Sequence, residues 1–474
     1  MPETVSTRTE EDLLGQLEVP SHAYYGIQTL RAVQNFKLSG VPLAHFPNFV
    51  IALAMVKHAA ADANYELGYL TTCKHQAITH ACQRIMQGEF HDQFVVDMIQ
   101  GGAGTSTNMN ANEVIANVAL EYLGCEKGDY KQVNPNNDVN MAQSTNDSYP
   151  TAIRLGLLLG HDKLLQSLEN LIAAFRVKAQ AFEHVLKMGR TQLQDAVPMT
   201  LGQEFQAFAT TLEEDLCRLR TLVPELLCEV NLGGTAIGTG INADPSYQRL
   251  AVERLAAISG HPVKSAVDLI EATSDMGDFV LFSGMLKRTA VKLSKICNDL
   301  RLLSSGPRTG INEINLPARQ PGSSIMPGKV NPVIPEAVNQ VAFEIIGNDL
   351  TLTMAAEAGQ LQLNVMEPII AYKMFDSIRL LQRSMDMLRE LCIDDITANE
   401  NHCLHLVEHS IGLVTALNPY IGYQNSTRIA KKALESGRGI LELVREEKLL
   451  EDDVLDDILK PQNMIAPRLV PVNS

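Results

Sequence analysis

The sequence of 474 residues contains no tryptophan, and aromatic residues make up only 5% of it. A core with few large rings must be filled by aliphatic side chains, which suits packed helices better than a β-sandwich. Hydrophobic residues reach 45% and charged residues 20%, which are ordinary values for a globular chain. The composition therefore favours a helical protein, and the length allows two or three domains.

Positive charge is scarce as well. Lysine and arginine number 39 against 55 aspartate and glutamate residues, so the formal net charge is −16. Such a chain is repelled by nucleic acid and by anionic membranes, and neither is expected as a partner. A small anionic substrate is also repelled at long range. A site for one must therefore supply local positive charge or converging N–H donors.

Paired cysteines and long apolar runs are also missing. No two of the eight cysteines have the C-x-x-C spacing of a redox or zinc motif, and several fall on apolar helix faces, as buried thiols do in a reducing compartment. No apolar run reaches the roughly 18 residues of a membrane span. Residues 1–15 are polar and acidic, unlike a signal peptide. We therefore expect a cytoplasmic protein.

Apolar stripes at steps of three and four residues dominate the middle of the chain. The stripe from Ile153 to Leu186 predicts a helix of more than 30 residues that begins after Pro150. Further stripes predict long helices over 201–226, 279–303, 338–352 and 370–392. Long helices of this period pack side by side as a bundle. Apolar positions on more than one face, such as Val280 and Val291, predict packing against other subunits.

Composition changes divide the chain into three predicted domains. Residues 1–145 form a mixed helical domain, 146–397 hold the long-helix bundle, and 398–474 form a small helical domain broken at Asn418-Pro419 and Gly422. The predicted fold is therefore mainly α.

One loop, GSSIMPGKVNP at 322–332, combines residue types that neither helices nor strands tolerate. Two glycines allow unusual backbone angles and two prolines restrict others, so a shaped loop is predicted. It displays the hydroxyls of Ser323 and Ser324, the ammonium of Lys329 and the amide of Asn331. Ligand chemistry usually occupies loops that present polar groups on a rigid frame.

Three more polar segments are predicted as loops: AGTSTNMN at 103–110, QSTND at 143–147 and GRTQLQDAVP at 189–198. Each alone is typical of turns and helix caps. Together with 322–332 they supply hydroxyls, amides and one cation, which are the donors that a dicarboxylate requires. The candidate site residues are Thr105, Ser144, Thr145, Asn146, Thr191, Gln192, Ser323, Ser324, Lys329 and Asn331.

The chain resembles the fumarase/aspartase superfamily from about residue 10 to the C-terminal helices. These four segments carry the resemblance, together with stretches such as EVNLGGTAIGTGIN and AAEAGQLQLNVMEP. Within the superfamily, the segments of this chain are most similar to those of the aspartase branch. Gln192 stands where class II fumarases usually have histidine, and Asn134 stands where they carry another histidine. The resemblance implies a three-domain fold and a homotetramer, in which the central helices form a common core and subunits share active sites.

The resemblance also implies the chemistry: reversible elimination of ammonia from L-aspartate to give fumarate. A base removes the C3 proton, and the resulting carbanion is delocalised into the carboxylate as an aci-carboxylate dianion, whose charge the site must stabilise. The family assigns the base to the position of Ser323. A serine acts as a base only if its alkoxide is stabilised, here by loop N–H groups and Lys329.

Binding roles follow from the same resemblance. The C4 carboxylate would contact Thr105, Ser144, Thr145 and Ser324. The C1 carboxylate would contact Thr191, Lys329 and Asn331, and the amino group would face Asn146 and Gln192. Glu336 either orients neighbouring polar groups or is an ordinary carboxylate in a first helical turn, and we favour the second.

No cofactor is required by this chemistry, and we assign no metal ligand. Some family members respond to divalent cations, but the sequence does not locate such an effect. The helically spaced His402, His405 and His409 are interpreted as surface or subunit-facing side chains.

Two alternatives remain open. One is another lyase on this scaffold: a class II fumarase, or an argininosuccinate or adenylosuccinate lyase. The other is a helical assembly protein without catalysis, in which the polar segments are only caps.

Overall fold

The computed structural model describes residues 6–458 and 460–465. Most of these residues are helical, and the strands are short. The α-helices are α1 Ile27–Asn35, α2 Pro47–Glu66, α3 Thr72–Met86, α4 Thr105–Tyr122, α5 Thr145–Ala181, α6 Leu201–Leu227, α7 Tyr247–Ser259, α8 Glu271–Ser274, α9 Gly277–Leu303, α10 Val333–Glu357, α11 Glu367–Leu391, α12 Glu400–His409, α13 Leu413–Ser436, α14 Ile440–Glu446, α15 Asp452–Ile458 and α16 Pro461–Met464. The prediction of a mainly α fold is confirmed.

The strands pair into two-stranded sheets. They are β1 Thr7–Asp12 with β2 Gly15–Pro20, β3 Leu186–Thr191 with β4 Gln194–Thr200, β5 Glu229–Val230 with β6 Lys264–Ser265, and β7 Ile314–Asn315 with β8 Thr397–Ala398. All are antiparallel except the β5–β6 pair. Among the described residues, no helix has both the length and the apolar character needed to cross a membrane.

The chain forms two compact units. The first unit contains the chain up to Leu165, Cys217–Arg288 and Phe343–Gln382, and the second contains Gln166–Leu216, Thr289–Ala342 and the chain from Arg383 onward. Each boundary between them falls inside a long helix. The division into 1–145, 146–397 and 398–474 stays a prediction.

The long helices predicted from the apolar stripes are all present. The stripe that begins at Ile153 was predicted to stay helical to Leu186, but α5 ends at Ala181 and Leu186 is the first residue of β3. In α5, which has 37 residues, the stripe residues Leu157, Leu164, Leu168 and Leu171 are completely buried. Their spacing places them on one helical face, so burial of that face stabilises the helix. The predicted break in the C-terminal region is also confirmed, because Gly422 has φ 75° and ψ 160° inside α13.

The predicted start of α5 was wrong, because the helix begins at Thr145 and contains Pro150. Proline has no N–H, so the carbonyl of Asn146 loses its partner four residues ahead. The side chain of Asn231 replaces it, since its Nδ2 donates a hydrogen bond to that carbonyl at 2.9 Å. A distant donor therefore lets the helix start before the proline.

His161 lies on the apolar face of α5 and is 1% exposed. Its ring packs edge-on against Phe282, with ring centroids 6.1 Å apart, and its Nε2 has no hydrogen-bond partner among the described residues. Burial lowers the pKa of His161 to about 4, because the buried imidazolium loses hydration. The structure therefore contains a histidine that is neutral at pH 7.

Acid is expected to weaken the fold through His161. The pKa of His161 is about 4 in the folded protein and about 6.5 in the unfolded chain. Between these two pH values, unfolding therefore takes up a proton. The stability that His161 contributes above pH 6.5 is lost as the pH falls to about 4. Between pH 6.5 and pH 4, the free energy of unfolding of the wild type should drop by up to about 3 kcal/mol more than that of His161→Leu. Urea unfolding at both pH values measures this, with exposed His22→Leu as control. An equal loss of unfolding free energy in wild type and in His161→Leu would contradict this role of His161.

Candidate active site

The GSSIMPGKVNP segment is the predicted loop, and it closes on itself. The Gly322 N–H donates to the carbonyl of Lys329 at 2.8 Å, and Asn331 Nδ2 donates to the carbonyl of Gly322 at 2.9 Å. A Cβ on Gly322 would lie 2.7 Å from the Lys329 carbonyl oxygen, so a side chain there would disrupt the closure. Gly328 has φ 83°, which also favours glycine. These contacts define a loop with a fixed base.

Inside this loop, Ser323 receives two backbone hydrogen bonds. Its Oγ accepts from the N–H of Ile325 at 3.2 Å and from the N–H of Met326 at 3.1 Å. Donors aimed at one oxygen stabilise negative charge on it. Ser323 is half-buried, whereas Ser324 and Lys329 are exposed. The loop therefore offers an oxygen suited to an alkoxide next to groups that can reach a ligand.

The segment 189–198 is a β-hairpin, so its prediction as a loop was wrong. Strands β3 and β4 pair as far as Thr191 and Gln194 and leave Gln192 and Leu193 as the turn. Both turn residues have positive φ, 54° and 62°, which is the type I′ geometry that fits the twist of paired strands. The turn lacks the usual glycine or asparagine, so its residues carry no hairpin signal. It presents Thr191 and Gln192 at an exposed tip.

A buried ion cluster anchors the hairpin. Glu313 is completely buried and pairs with Lys187 Nζ and with Arg190 Nη1, each at 2.7 Å. Lys187 is 2% exposed and also pairs with Glu204. Removing one member of such a cluster leaves an uncompensated buried charge. The cluster therefore fixes the backbone directly before Thr191.

Two helices begin at candidate threonines in the first unit. The predicted loop 103–110 is mostly helix, because α4 begins at Thr105, and α5 begins at Thr145 inside the predicted loop 143–147. A Cβ on Gly104 would lie 2.4 Å from the ring of Tyr149, so only glycine permits this helix entry. Helix N-termini carry unpaired N–H groups and partial positive charge. Both candidate threonines therefore lie where carboxylates bind favourably.

Behind Thr145 lies a buried lysine that the candidate set omitted. Lys57 is fully buried in α2, and its Nζ donates to Asn108 Oδ1 at 2.6 Å, Asn140 Oδ1 at 2.9 Å and Gln143 Oε1 at 2.8 Å. Asn108 Nδ2 then donates to Thr145 Oγ1 at 3.0 Å. Burial lowers the pKa of Lys57 to about 7. The signal in the sequence was a single cation in the apolar run VIALAMVKHAAA.

Asp147 fixes the neighbouring backbone. Its carboxylate accepts the N–H of Ser144 at 2.9 Å and those of Gly233 and Thr235 at 3.0 Å each. Burial raises the pKa of Asp147 to about 6, although these donors favour the ionised form. Asn146 Nδ2 donates to the Ala236 carbonyl at 2.8 Å. The QSTND segment is therefore held against 233–236.

The candidate residues form three local groups. The first unit contains Thr105 and the consecutive residues Ser144, Thr145 and Asn146, and the second contains the hairpin tip and the loop at 322–332. The structure joins Thr145 to Asn108 and Asn331 to Gly322 by hydrogen bonds. The meeting of all three groups in one site stays a prediction.

Comparisons with known proteins identify the family of the chain. A family profile described as lyase matches residues 15–347, and one described as fumarase C C-terminus matches 413–466. The chain is 79% identical to an aspartate ammonia-lyase from Pseudomonas canavaninivorans over all of both chains.

Two solved structures share the fold. One is a fumarate lyase:delta crystallin from Brucella melitensis bound to cobalt, with a TM-score of 0.94, 59% identity and coverage of 98% of this chain and 100% of that one. The other is a recombinant class II fumarase from Schistosoma mansoni, with a TM-score of 0.90, 36% identity and coverage of 97% and 99%.

The helical fold, the polar segments and these matches define a lyase of the fumarase/aspartase superfamily. Within that superfamily, the chain belongs to the aspartate ammonia-lyases. It is a carbon–nitrogen lyase that eliminates ammonia from L-aspartate to give fumarate. The preference for the aspartase branch over fumarase, which used Gln192 and Asn134, is confirmed.

Proposed function

We propose that Ser323 is the base of this reaction and that Lys329 assists it. The observation that carries the proposal is the pair of backbone N–H groups directed at Ser323 Oγ. These donors favour the alkoxide, which an unassisted serine does not reach near neutral pH. Lys329 belongs to the same closed loop and adds local positive charge in a chain whose net charge is −16.

The reaction then proceeds in two steps. Ser323 Oγ takes the C3 proton of aspartate, and the electron pair of the broken C–H bond is delocalised into the C4 carboxylate as an aci-carboxylate dianion. That pair next forms the C2–C3 double bond while the C2–N bond breaks and ammonia leaves with its electrons. Donors around the C4 carboxylate stabilise the dianion, so they accelerate the first step.

We assign the carboxylate and amine contacts from the positions of the candidate groups. The N-terminal turns of α4 and α5 suit the C4 carboxylate because the N-terminal end of a helix carries partial positive charge. Thr105 and Thr145 are the first residues of these helices, Ser144 directly precedes α5, and Ser324 completes the proposed set. The proposed C1 contacts are Thr191, Lys329 and Asn331, and the proposed amine contacts are Asn146 and Gln192.

Lys329→Ala is expected to raise KM for aspartate roughly 10- to 100-fold, because hydrogen bonds to charged groups contribute about 1.5–3 kcal/mol. Steady-state rates of fumarate formation measure the change. The exposed Lys37→Ala provides a control of equal charge change. A KM for Lys329→Ala within twofold of that of the control would contradict the assigned role.

We also propose a homotetramer with shared active sites. Helix α10 exposes an apolar row, in which Phe343 is 63% exposed, Leu350 62% and Met354 65%. Leu281 and Val291 on α9 are about half exposed, as the two-sided apolar pattern predicted. Subunit contact covers apolar rows of this kind. Light scattering should give the mass of four chains, and a monomer would contradict the proposal.

The elimination is proposed to need no cofactor, because the chain itself supplies the base, the cation and the N–H donors. A divalent cation, such as the cobalt bound by the Brucella protein, is proposed only as an activator. The negative charge disfavours nucleic acid as a partner. A cytoplasmic location is supported by the buried free thiols, which include those of Cys297 and Cys392.

A further inference from the structure

We propose that His405, Glu408 and His409 bind one divalent transition-metal ion of the Zn²⁺, Co²⁺ or Ni²⁺ class. The three residues lie on α12 and are exposed. One ligand atom from each lies within 4.8 Å of the other two. The i, i+3 and i+4 spacing places all three side chains on one helical face. None of them belongs to the residues assigned to the substrate.

The orientation of His409 favours a metal ligand. Its Nδ1 lies 2.8 Å from the carbonyl oxygen of His405, so this nitrogen carries the proton and donates it. The lone pair of Nε2 is then available to an ion, and the hydrogen bond fixes the tautomer, as it does for many metal-binding histidines. The two imidazole rings lie with their centroids 4.0 Å apart. The two rings therefore lie side by side on one face of α12.

The local charge also favours a cation. His409 is the last residue of α12, where the unpaired carbonyl groups of a helix carry partial negative charge. The Glu408 carboxylate lies on the same helical face as the two imidazoles. Ligand atoms about 2.1 Å from one ion lie at most about 4.2 Å apart. Small rotations of these exposed side chains therefore suffice to close the observed 4.8 Å.

The donor set selects the class of ion. Two imidazole nitrogens and one carboxylate suit Zn²⁺, Co²⁺ and Ni²⁺, whereas Mg²⁺ and Ca²⁺ prefer oxygen ligands. Only two of the three histidines spaced along this helix, His405 and His409, belong to the proposed site. His402 Nε2 lies 2.9 Å from the carbonyl oxygen of Ile311, and Glu408 takes its place in the cluster.

Binding of Co²⁺ to the metal-free full-length protein tests the proposal. Calorimetry and visible absorption should show one Co²⁺ bound per chain, displaced by Zn²⁺ but not by excess Mg²⁺. His405→Ala and His409→Ala should each weaken Co²⁺ binding at least about tenfold, since each removes one of three ligands. His22→Ala removes another exposed histidine and should bind like wild type. Circular dichroism checks that each variant is folded.

Several outcomes would overturn the proposal. Wild-type protein that binds no Co²⁺ is one, and unchanged affinity in both His405→Ala and His409→Ala is another. The exposed thiols of Cys73 and Cys217 are the competing ligands in this chain. Binding that disappears only after these thiols are alkylated would assign the ion to them and not to α12.

Discussion

Ser323→Ala is expected to lower kcat for aspartate by about 10³-fold or more, because general-base catalysis typically contributes 10²–10⁴-fold. The variant removes the oxygen that accepts the N–H groups of Ile325 and Met326. The loop should keep its base, since Gly322 and Lys329 close it independently of that oxygen. The loss should therefore fall on the rate of the chemical step and not on folding.

Steady-state kinetics and thermal unfolding separate these effects. Ser323 is half-buried in a loop, so the change in the free energy of unfolding should stay within about 0.5 kcal/mol. Ser324→Ala is the matched neighbour: it removes a proposed carboxylate contact and should raise KM while retaining most of kcat. A Ser323→Ala enzyme with kcat within tenfold of wild type would remove Ser323 from the role of base.

The long helices were predictable because their information is local. Each apolar stripe repeats within one helix, so residues such as Leu164 and Leu168 identify their own buried face. The start of α5 was not local in this sense. It depends on Asn231, which supplies the donor that Pro150 lacks. Sequence spacing around a proline indicates a missing donor but does not show whether a distant side chain replaces it.

The candidate site divides in the same way. The loop at 322–332 was predictable from its glycines and prolines, whereas the hairpin was not, because Gln192 and Leu193 adopt positive φ without glycine. Strain of this kind is maintained by surrounding structure, here the ion cluster around Glu313. Lys57 was missed for a related reason, since its three partners lie far along the chain.

Lys57→Met should have the second large effect, on both stability and substrate binding. Methionine fills a similar volume but cannot donate hydrogen bonds. Three acceptors then lose the hydrogen bond from Nζ: Asn108 Oδ1, Asn140 Oδ1 and Gln143 Oε1. Loss of hydrogen bonds from a buried charged group should lower the free energy of unfolding by about 3 kcal/mol. Asn108 would also hold Thr145 Oγ1 less firmly, so KM for aspartate should rise.

Urea unfolding and steady-state kinetics measure the two effects, with exposed Lys37→Met as a control of equal charge change. Kinetics should be measured at a temperature at which circular dichroism shows the variant folded, because unfolding alone lowers the apparent kcat and leaves KM unchanged. A raised KM in fully folded enzyme therefore reports the position of Thr145 and not the amount of native protein. If Lys57→Met loses stability but keeps the wild-type KM, the lysine supports only the core of the first unit, and Thr145 does not depend on Asn108 for its place in the site.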